Sequence, residues 1–284
     1  MDDRRIIPVA DGTAILAENG PMRLMIQCRR GDAVDLNAAK AAGQKACSFL
    51  ARVAMCRGQL HRPAWRVDLE NLDPIACKMV DAARTIGDPD LTPLAAVAGT
   101  LADFVADWLV DQGMTWVIVN NGGDIAIRLA AGETARVGVR PDIRSQTIGT
   151  ILELNDRRRA WGVNTSGLGG RSLTRGIASA VTVVADCSAM ADAAATAIAN
   201  HCIVQDPRIH QVPAEQLDPN TDIPGLAVTA DVGPLDRWAI DTALNRGLNH
   251  AARLVQRGVI DDALITVKGH SRMTVGMEKR FLCA

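Results

Sequence analysis

Asp192 and Thr196 stand four residues apart in the run A-D-A-A-A-T, residues 191–196. On a helix that spacing stacks a carboxylate and a hydroxyl one turn apart on the same face. Oxygen donors so placed suit a hard cation, above all Mg2+, which takes one or two carboxylates and shares its other positions with water and phosphate. A purely structural reading competes, because an acidic residue in a first turn answers the helix dipole and a Thr can bond its own i−4 carbonyl. The flanking residues are almost all apolar, where an unpaired carboxylate is costly, and that favours a ligand role. Replacing Asp192 by Ala is expected to abolish cation binding and leave the fold intact.

Two further segments could meet such a cation's ligand. Asn120-Asn121-Gly122-Gly123-Asp124 can turn sharply at positive φ and offer backbone N–H groups to a phosphate, with Asp124 accepting from a ligand hydroxyl or amine. A plain hairpin turn explains the same residues. Residues 165–176 (T-S-G-L-G-G-R-S-L-T-R-G) hold four glycines, two arginines and small hydroxyls, with Thr165, Ser166 and Arg171 the candidates for gripping an anion. A solvated loop is the alternative. No phosphate-binding G-x-x-x-x-G-K-[ST] or nucleophile-elbow G-x-S-x-G occurs. The five histidines show no H-x-x-x-H or H-E spacing, so a histidine metal site is not expected. Asp103 and Asp107 repeat the one-turn carboxylate spacing. Either they reach the Asp192 site or they mark the wet edge of their helix.

The elements that would carry these residues follow from pattern. Residues 35–57 keep helical apolar spacing, with Asp35 or Asn37 as N-cap; Asp73-Pro74 and Thr92-Pro93 open helices to about residues 84 and 110. Residues 188–204 and 236–257 complete the helices. Strands are expected at 22–28, 115–119, 125–129, 136–139, 148–154, 180–185, 263–267 and 273–277, and a long surface loop at 206–224. Strands and helices cluster without βαβ alternation, which favours an α+β fold, mainly antiparallel, packed with Ala-rich buried helices. Two such helices, 93–110 and 189–199, each adjoin a strong β segment, a hint of two related halves.

Composition bounds the partners. The 284 residues are 48% hydrophobic, with a net charge of −1, which argues against a nucleic-acid surface. No stretch approaches 18 uncharged apolar residues, so no membrane span is expected. The N-terminal MDDRRIIPVADG lacks an apolar signal core, and seven cysteines without a C-x-x-C pair suit a reduced, cytoplasmic protein. An apolar homodimer face is compatible with this composition.

The runs LTPLAAVAGTLADFVADWL, VNNGGDIAI, TSGLGGRSL and AVTVVADCSAMADAAATAIAN, in that order over residues 91–200, resemble the UPF0280 family, a branch similar to the ApbE-like flavin transferases. The resemblance implies one ApbE-like α+β domain over residues 1–284, binding FAD or a related nucleotide near the G-G-D turn. It further implies Mg2+ held by Asp192 and Thr196, with Asn121, Gly122, Gly123 and Asp124 at the ligand turn. The chemistry it implies is Mg2+-dependent transfer of FMN from FAD to a partner protein. This chain departs from that pattern twice. Residues 96–102 (A-V-A-G-T-L-A) lack the family's Lys-Gly pair, and residues 167–176 replace its H-I-I-D-P-x-T-G. H-C-I-V-Q-D-P-R, residues 201–208, mimics the latter but follows the A-D-A-x-A-T helix. A cytosolic hydrolase or lyase for a small anionic metabolite, and a non-catalytic ligand-binding or assembly protein, are the other readings. With no Tyr in the chain, only Phe or Trp could stack on a flavin ring.

Overall fold

Asp35, Asp73 and Asp236 each begin a helix by accepting a bond from a backbone N–H two or three residues on, at 2.9 Å in all three. Each satisfies one of the donors a helix leaves unpaired at its start. The computed structural model describes residues 4–142, 147–170 and 172–281. In chain order its first elements are β1 (Arg5–Val9), β2 (Ala14–Asn19), β3 (Met22–Arg30), β4 (Ala33–Val34), α1 (Leu36–Met55), α2 (Arg57–Leu60), α3 (Pro74–Ile86) and α4 (Val97–Asp111). The middle of the chain supplies β5 (Trp116–Asn121), β6 (Asp124–Leu129), β7 (Thr134–Val139), β8 (Thr150–Asn155), β9 (Ala160–Ser166), β10 (Ala180–Ala185) and α5 (Ser188–His201). The remainder is β11 (Ile209–Pro213), α6 (Ala214–Leu217), β12 (Ala227–Val232), α7 (Arg237–Gln256), β13 (Asp262–Val267) and β14 (His270–Met273).

One antiparallel sheet runs β1-β2-β3-β5-β6-β9-β10-β13-β14, with β4 paired to β3. Helices α1, α4, α5 and α7 lie across one face, and α3 packs over α4 and α5. The main core forms there from Val, Leu, Ile and a large share of Ala. The β7–β8 hairpin covers the other face around Ile127, Leu152, Leu154 and Trp161. The expected mixture of antiparallel strands and Ala-rich buried helices is what the chain forms. The reason is close approach. A Cβ on Gly99 of α4 would drive into the Ser188 carbonyl and stand 2.9 Å from Asp192 Cβ, and one on Gly162 of β9 would overlap the Cys187 carbonyl.

Several local expectations are corrected. Residues 206–224 are no plain loop, because β11 and α6 form within them; β11 is stabilised by β12, a partner the pattern did not reveal. The last strand ends at Met273, and Met277–Arg280 is a 3-10 turn. The helix expected from Thr92 starts as a 3-10 turn, Pro93–Ala96, before α4. β1, β2, β9 and β12 were not legible. The stretch Pro93–Asp111 is long and apolar enough by composition to cross a membrane, as a buried core helix also can be; here it lies against β5, β6, α1 and α5.

Candidate functional site

The site grows from one polar row across three neighbouring strands. Register pairs Asn121 of β5 with Asp124 of β6, and Asp124 with Asn164 of β9. Alternation along each strand turns these residues, with Ser166, towards the helices, whereas Ile127, Trp161 and Val163 face the other core. The two-residue turn between Asn121 and Asp124 needs φ of +70° at Gly122 and +113° at Gly123, a conformation that favours glycine. Asn120 Oδ1 accepts from the Gly123 N–H at 2.8 Å, so that donor is already engaged within the turn.

Above this row the starts of α4 and α5 cross antiparallel, and each helix caps the other. Asp103 of α4 accepts from the Ser188 N–H at 3.1 Å and from the Ala189 N–H at 3.0 Å, while Asp192 of α5 accepts from the Gly99 N–H at 2.9 Å. The sheet joins in. Asn121 Nδ2 donates to the Ala98 carbonyl at 3.2 Å, Ser188 Oγ donates to Asn164 Oδ1 at 2.9 Å, and Asn164 Nδ2 donates to Asp124 Oδ1 at 3.1 Å.

The two capping carboxylates differ in compensation. Asp103 is fully buried, with Arg128 Nη2 at 3.0 Å and Lys78 Nζ at 3.2 Å. Asp107 completes that cluster, its Oδ1 2.7 Å from Arg128 Nε. This answers the question of the Asp103–Asp107 pair: both are held by Arg128, and Asp103 serves as a cap. Asp192 is also buried, yet among the described residues no cation is paired with it. Burial pushes its carboxyl well above the usual carboxylate range; the nearby Asp124 charge adds to this, and the Gly99 and Ala98 N–H groups oppose it.

Thr196, one turn along α5, lies 3.2 Å from Ser166 through their hydroxyls. Asp192, Thr196, Ser166 and Asp124 are thereby gathered on one side of the sheet. Thr165 is not brought to them. It faces the opposite side, bonded to Thr182 Oγ1 at 2.8 Å. Arg171 lies outside the described residues.

Thr196 also lines a cleft of about 410 Å³. Its walls come from Asp88–Thr92 with Leu94 and Ala95, from Ser172, Leu173 and Arg175, from Asn200 and His201 of α5, and from part of the loop at residues 218–226. The size falls in the range of small-molecule sites. Arg175 Nη1 pairs with Asp90 at 2.9 Å, both residues lining the cleft. The glycine-rich segment is braced from behind, where the Thr229 N–H donates to the Thr174 carbonyl and Gln211 Nε2 to the Arg175 carbonyl, both at 2.8 Å. No Phe or Trp is among the described lining residues.

Sequence reasoning missed Asn164, Ser188 and Asn200. The A-W-G-V-N-T-S stretch hides its strand because Asn164, Thr165 and Ser166 are polar, and they are polar because they meet helix ends and hydroxyls rather than core.

Comparisons with known proteins agree with this fold. The AbpE bacteria family model matches residues 6–273. A UPF0280 protein of Methanosarcina acetivorans is 37% identical over 133 residues, 46% of this chain and 50% of that protein. A UPF0280 protein of Archaeoglobus fulgidus is 34% identical over 148 residues, 50% of this chain and 58% of that protein. The chain thus spans about half the length of the curated relatives it matches. The apo flavinyl transferase ApbE of Pseudomonas stutzeri superposes over 100% of both chains with a TM-score of 0.52 at 14% identity. The flavin transferase ApbE of Vibrio cholerae gives 0.52 at 14% identity over 99% of this chain and 100% of its own. At that identity the likeness is one of fold. The chain belongs to the AbpE bacteria family, an ApbE-like group with UPF0280 relatives.

Proposed function

We propose that the chain, acting as one unit over residues 1–284, binds FAD or a related diphosphate nucleotide in the cleft beside Thr196. Asp192 and Thr196 would hold Mg2+ at its inner end. The observation that carries this is the asymmetry between the two capping carboxylates. Asp103 has two cations against it, whereas Asp192 has the Asp124 charge and no described cation. A divalent ion relieves that imbalance, and the all-oxygen donor set of Asp192, Thr196, Ser166 and Asp124 fits a hard one. When bound, Mg2+ would neutralise charge on a diphosphate and so assist phosphoryl transfer.

The chain's own residues supply the rest of the site. Arg175 can exchange Asp90 for a ligand anion, a bidentate recognition its guanidinium suits. Leu91, Leu94, Leu173 and Leu226 offer an aliphatic bed to an apolar portion of the ligand. With no Phe or Trp among the described lining residues, recognition rests on the diphosphate more than on ring stacking. Thermal melting with FAD, with ADP and with orthophosphate, each with and without Mg2+, tests the reading. A ligand of the native state must raise apparent stability, and the expected pattern is Mg2+-dependent stabilisation by FAD and ADP. No stabilisation by either diphosphate with Mg2+ present overturns it.

A further inference from the structure

Along α5 beyond Thr196, about 7.5 Å by helical rise, a second group of metal-ligating side chains meets the same cleft. His201 Nε2 lies 3.2 Å from Asp88 Oδ2, and His250 Nε2 of α7 lies 3.9 Å from Asp88 Oδ1. The two imidazoles are stacked, centroids 3.9 Å apart and planes 15° apart. The three donor atoms all lie within 4.8 Å of one another. This cluster is assembled from three distant segments, which is why histidine spacing along the chain gave no sign of it.

We propose that Asp88, His201 and His250 form a second cation site, for a borderline divalent transition metal such as Zn2+, opening onto the cleft. Two nitrogens and a carboxylate suit such an ion and are a poor shell for Mg2+. Zinc bonds of roughly 2.0–2.1 Å set tetrahedral N and O ligands about 3.3 Å apart. The donor atoms lie within 4.8 Å of one another, and the stacked rings must tilt for both nitrogen lone pairs to meet one ion. An independent observation points the same way. His250 is nine-tenths buried, and its Nε2 has no hydrogen-bond partner although it faces Asp88. A buried orphan of that kind is costly, and a metal would satisfy it.

The surroundings keep the ring available. Burial, then the neighbouring His201 charge and Arg253 and Arg257, lower the His250 pKa to about 4 against the opposing pull of Asp88. The ring is therefore neutral at physiological pH. Arg253 Nη2 stands 3.1 Å from His250 Nδ1. A guanidinium only donates, so Nδ1 accepts there and Nε2 carries the proton. Metal binding at Nε2 exchanges the tautomer and sends the exposed Arg253 side chain out to solvent. Asp88 and His201 both line the cleft, so three protein donors leave a coordination position open to it, as in catalytic rather than structural zinc sites.

Equilibrium dialysis of the chelator-treated chain against Zn2+ in excess Mg2+ tests this, with Co2+ as a spectroscopic probe. The expected result is one Zn2+ per chain and a Co2+ spectrum of nitrogen and oxygen ligation. His201→Ala, at a half-exposed side chain, should keep its melting temperature and lose at least tenfold in affinity. His250→Ala should lose at least as much, and Arg253→Ala should gain several-fold. Asp192→Asn should retain Zn2+, which separates this site from the Mg2+ reading. Absence of stoichiometric binding, affinity unchanged in His201→Ala, or a thiolate band in the Co2+ spectrum would overturn the proposal.

Discussion

Asp103 on α4 caps α5, and Asp192 on α5 caps α4, so one pair of helix starts is closed by two reciprocal carboxylates. Both sit where the positive ends of helix dipoles favour an anion. Among the described residues only the first is matched by cations. That difference divides the pair into a structural member and the one proposed to take Mg2+.

The Asp192 carboxyl is raised, so the folded chain holds its proton more tightly than the unfolded chain does. Below the ordinary carboxylate pKa both states are protonated and the full stability is present. As pH rises from there through the raised folded value, the unfolded chain gives up the proton first and stability falls, by up to about 1.4 kcal/mol per pH unit. Asp192→Asn keeps an acceptor for the Gly99 N–H and removes the ionisation. It should flatten that part of the pH profile and, without Mg2+, melt above the wild type at neutral pH. The Ala replacement is a poorer probe than the sequence suggested, because it also strips α4 of its cap.

Asp103→Ala should behave in the opposite manner. It removes one of Arg128's two carboxylate partners and leaves the Ser188 and Ala189 N–H groups without that acceptor. Breaking a buried pair this way costs about 3–5 kcal/mol, to be read by denaturant unfolding. A loss below about 1 kcal/mol would remove Asp103 from its proposed role as the compensated cap.

Thr196→Val and Thr165→Val form a matched pair. Each removes one hydroxyl bond, worth about 1 kcal/mol of stability. Only Thr196 stands beside Asp192 and the cleft, so only its replacement should weaken Mg2+-dependent nucleotide binding, by roughly the fivefold that about 1 kcal/mol represents. Equal effects of the two in a binding titration would show that the sheet's two faces do not divide as described.

His250 gives a second pH signature of opposite sign. Its pKa is lowered to about 4, so as pH falls below about 6.5 the unfolded chain takes up a proton that the folded chain refuses. Stability is lost between those two values. His250→Gln should flatten that acid limb, and carbon-detected NMR should show the ring neutral at pH 5.5.

The sequence carried the central features of this site because they are local. A-D-A-A-A-T puts Asp192 and Thr196 on one helix face, and N-N-G-G-D can only be a tight turn. What pattern could not carry is partnership across the chain. Asp103 reads as a stray charge on an apolar helix until Arg128, Lys78 and the start of α5 are placed around it. Asn164 breaks the apolar alternation of β9, since its partners, Asp124 and Ser188, come from β6 and α5. Thr165 and Ser166 are adjacent in sequence and were grouped as one anion grip. Strand geometry sends them to opposite faces. Asp88, just past the end of α3, meets His201 and His250 only where α3 and α7 both pack against α5.

The central claim is that Asp192 is the uncompensated carboxylate that takes Mg2+. Isothermal titration of Mg2+ into the chain without nucleotide, over a pH series rising from the ordinary carboxylate pKa and in two buffers of different ionisation enthalpy, tests it most directly. A cation displacing the Asp192 proton makes the observed heat depend on the buffer, so the account predicts Mg2+ binding with proton release in the wild type and neither in Asp192→Asn. Mg2+ binding of equal affinity in both proteins would contradict it.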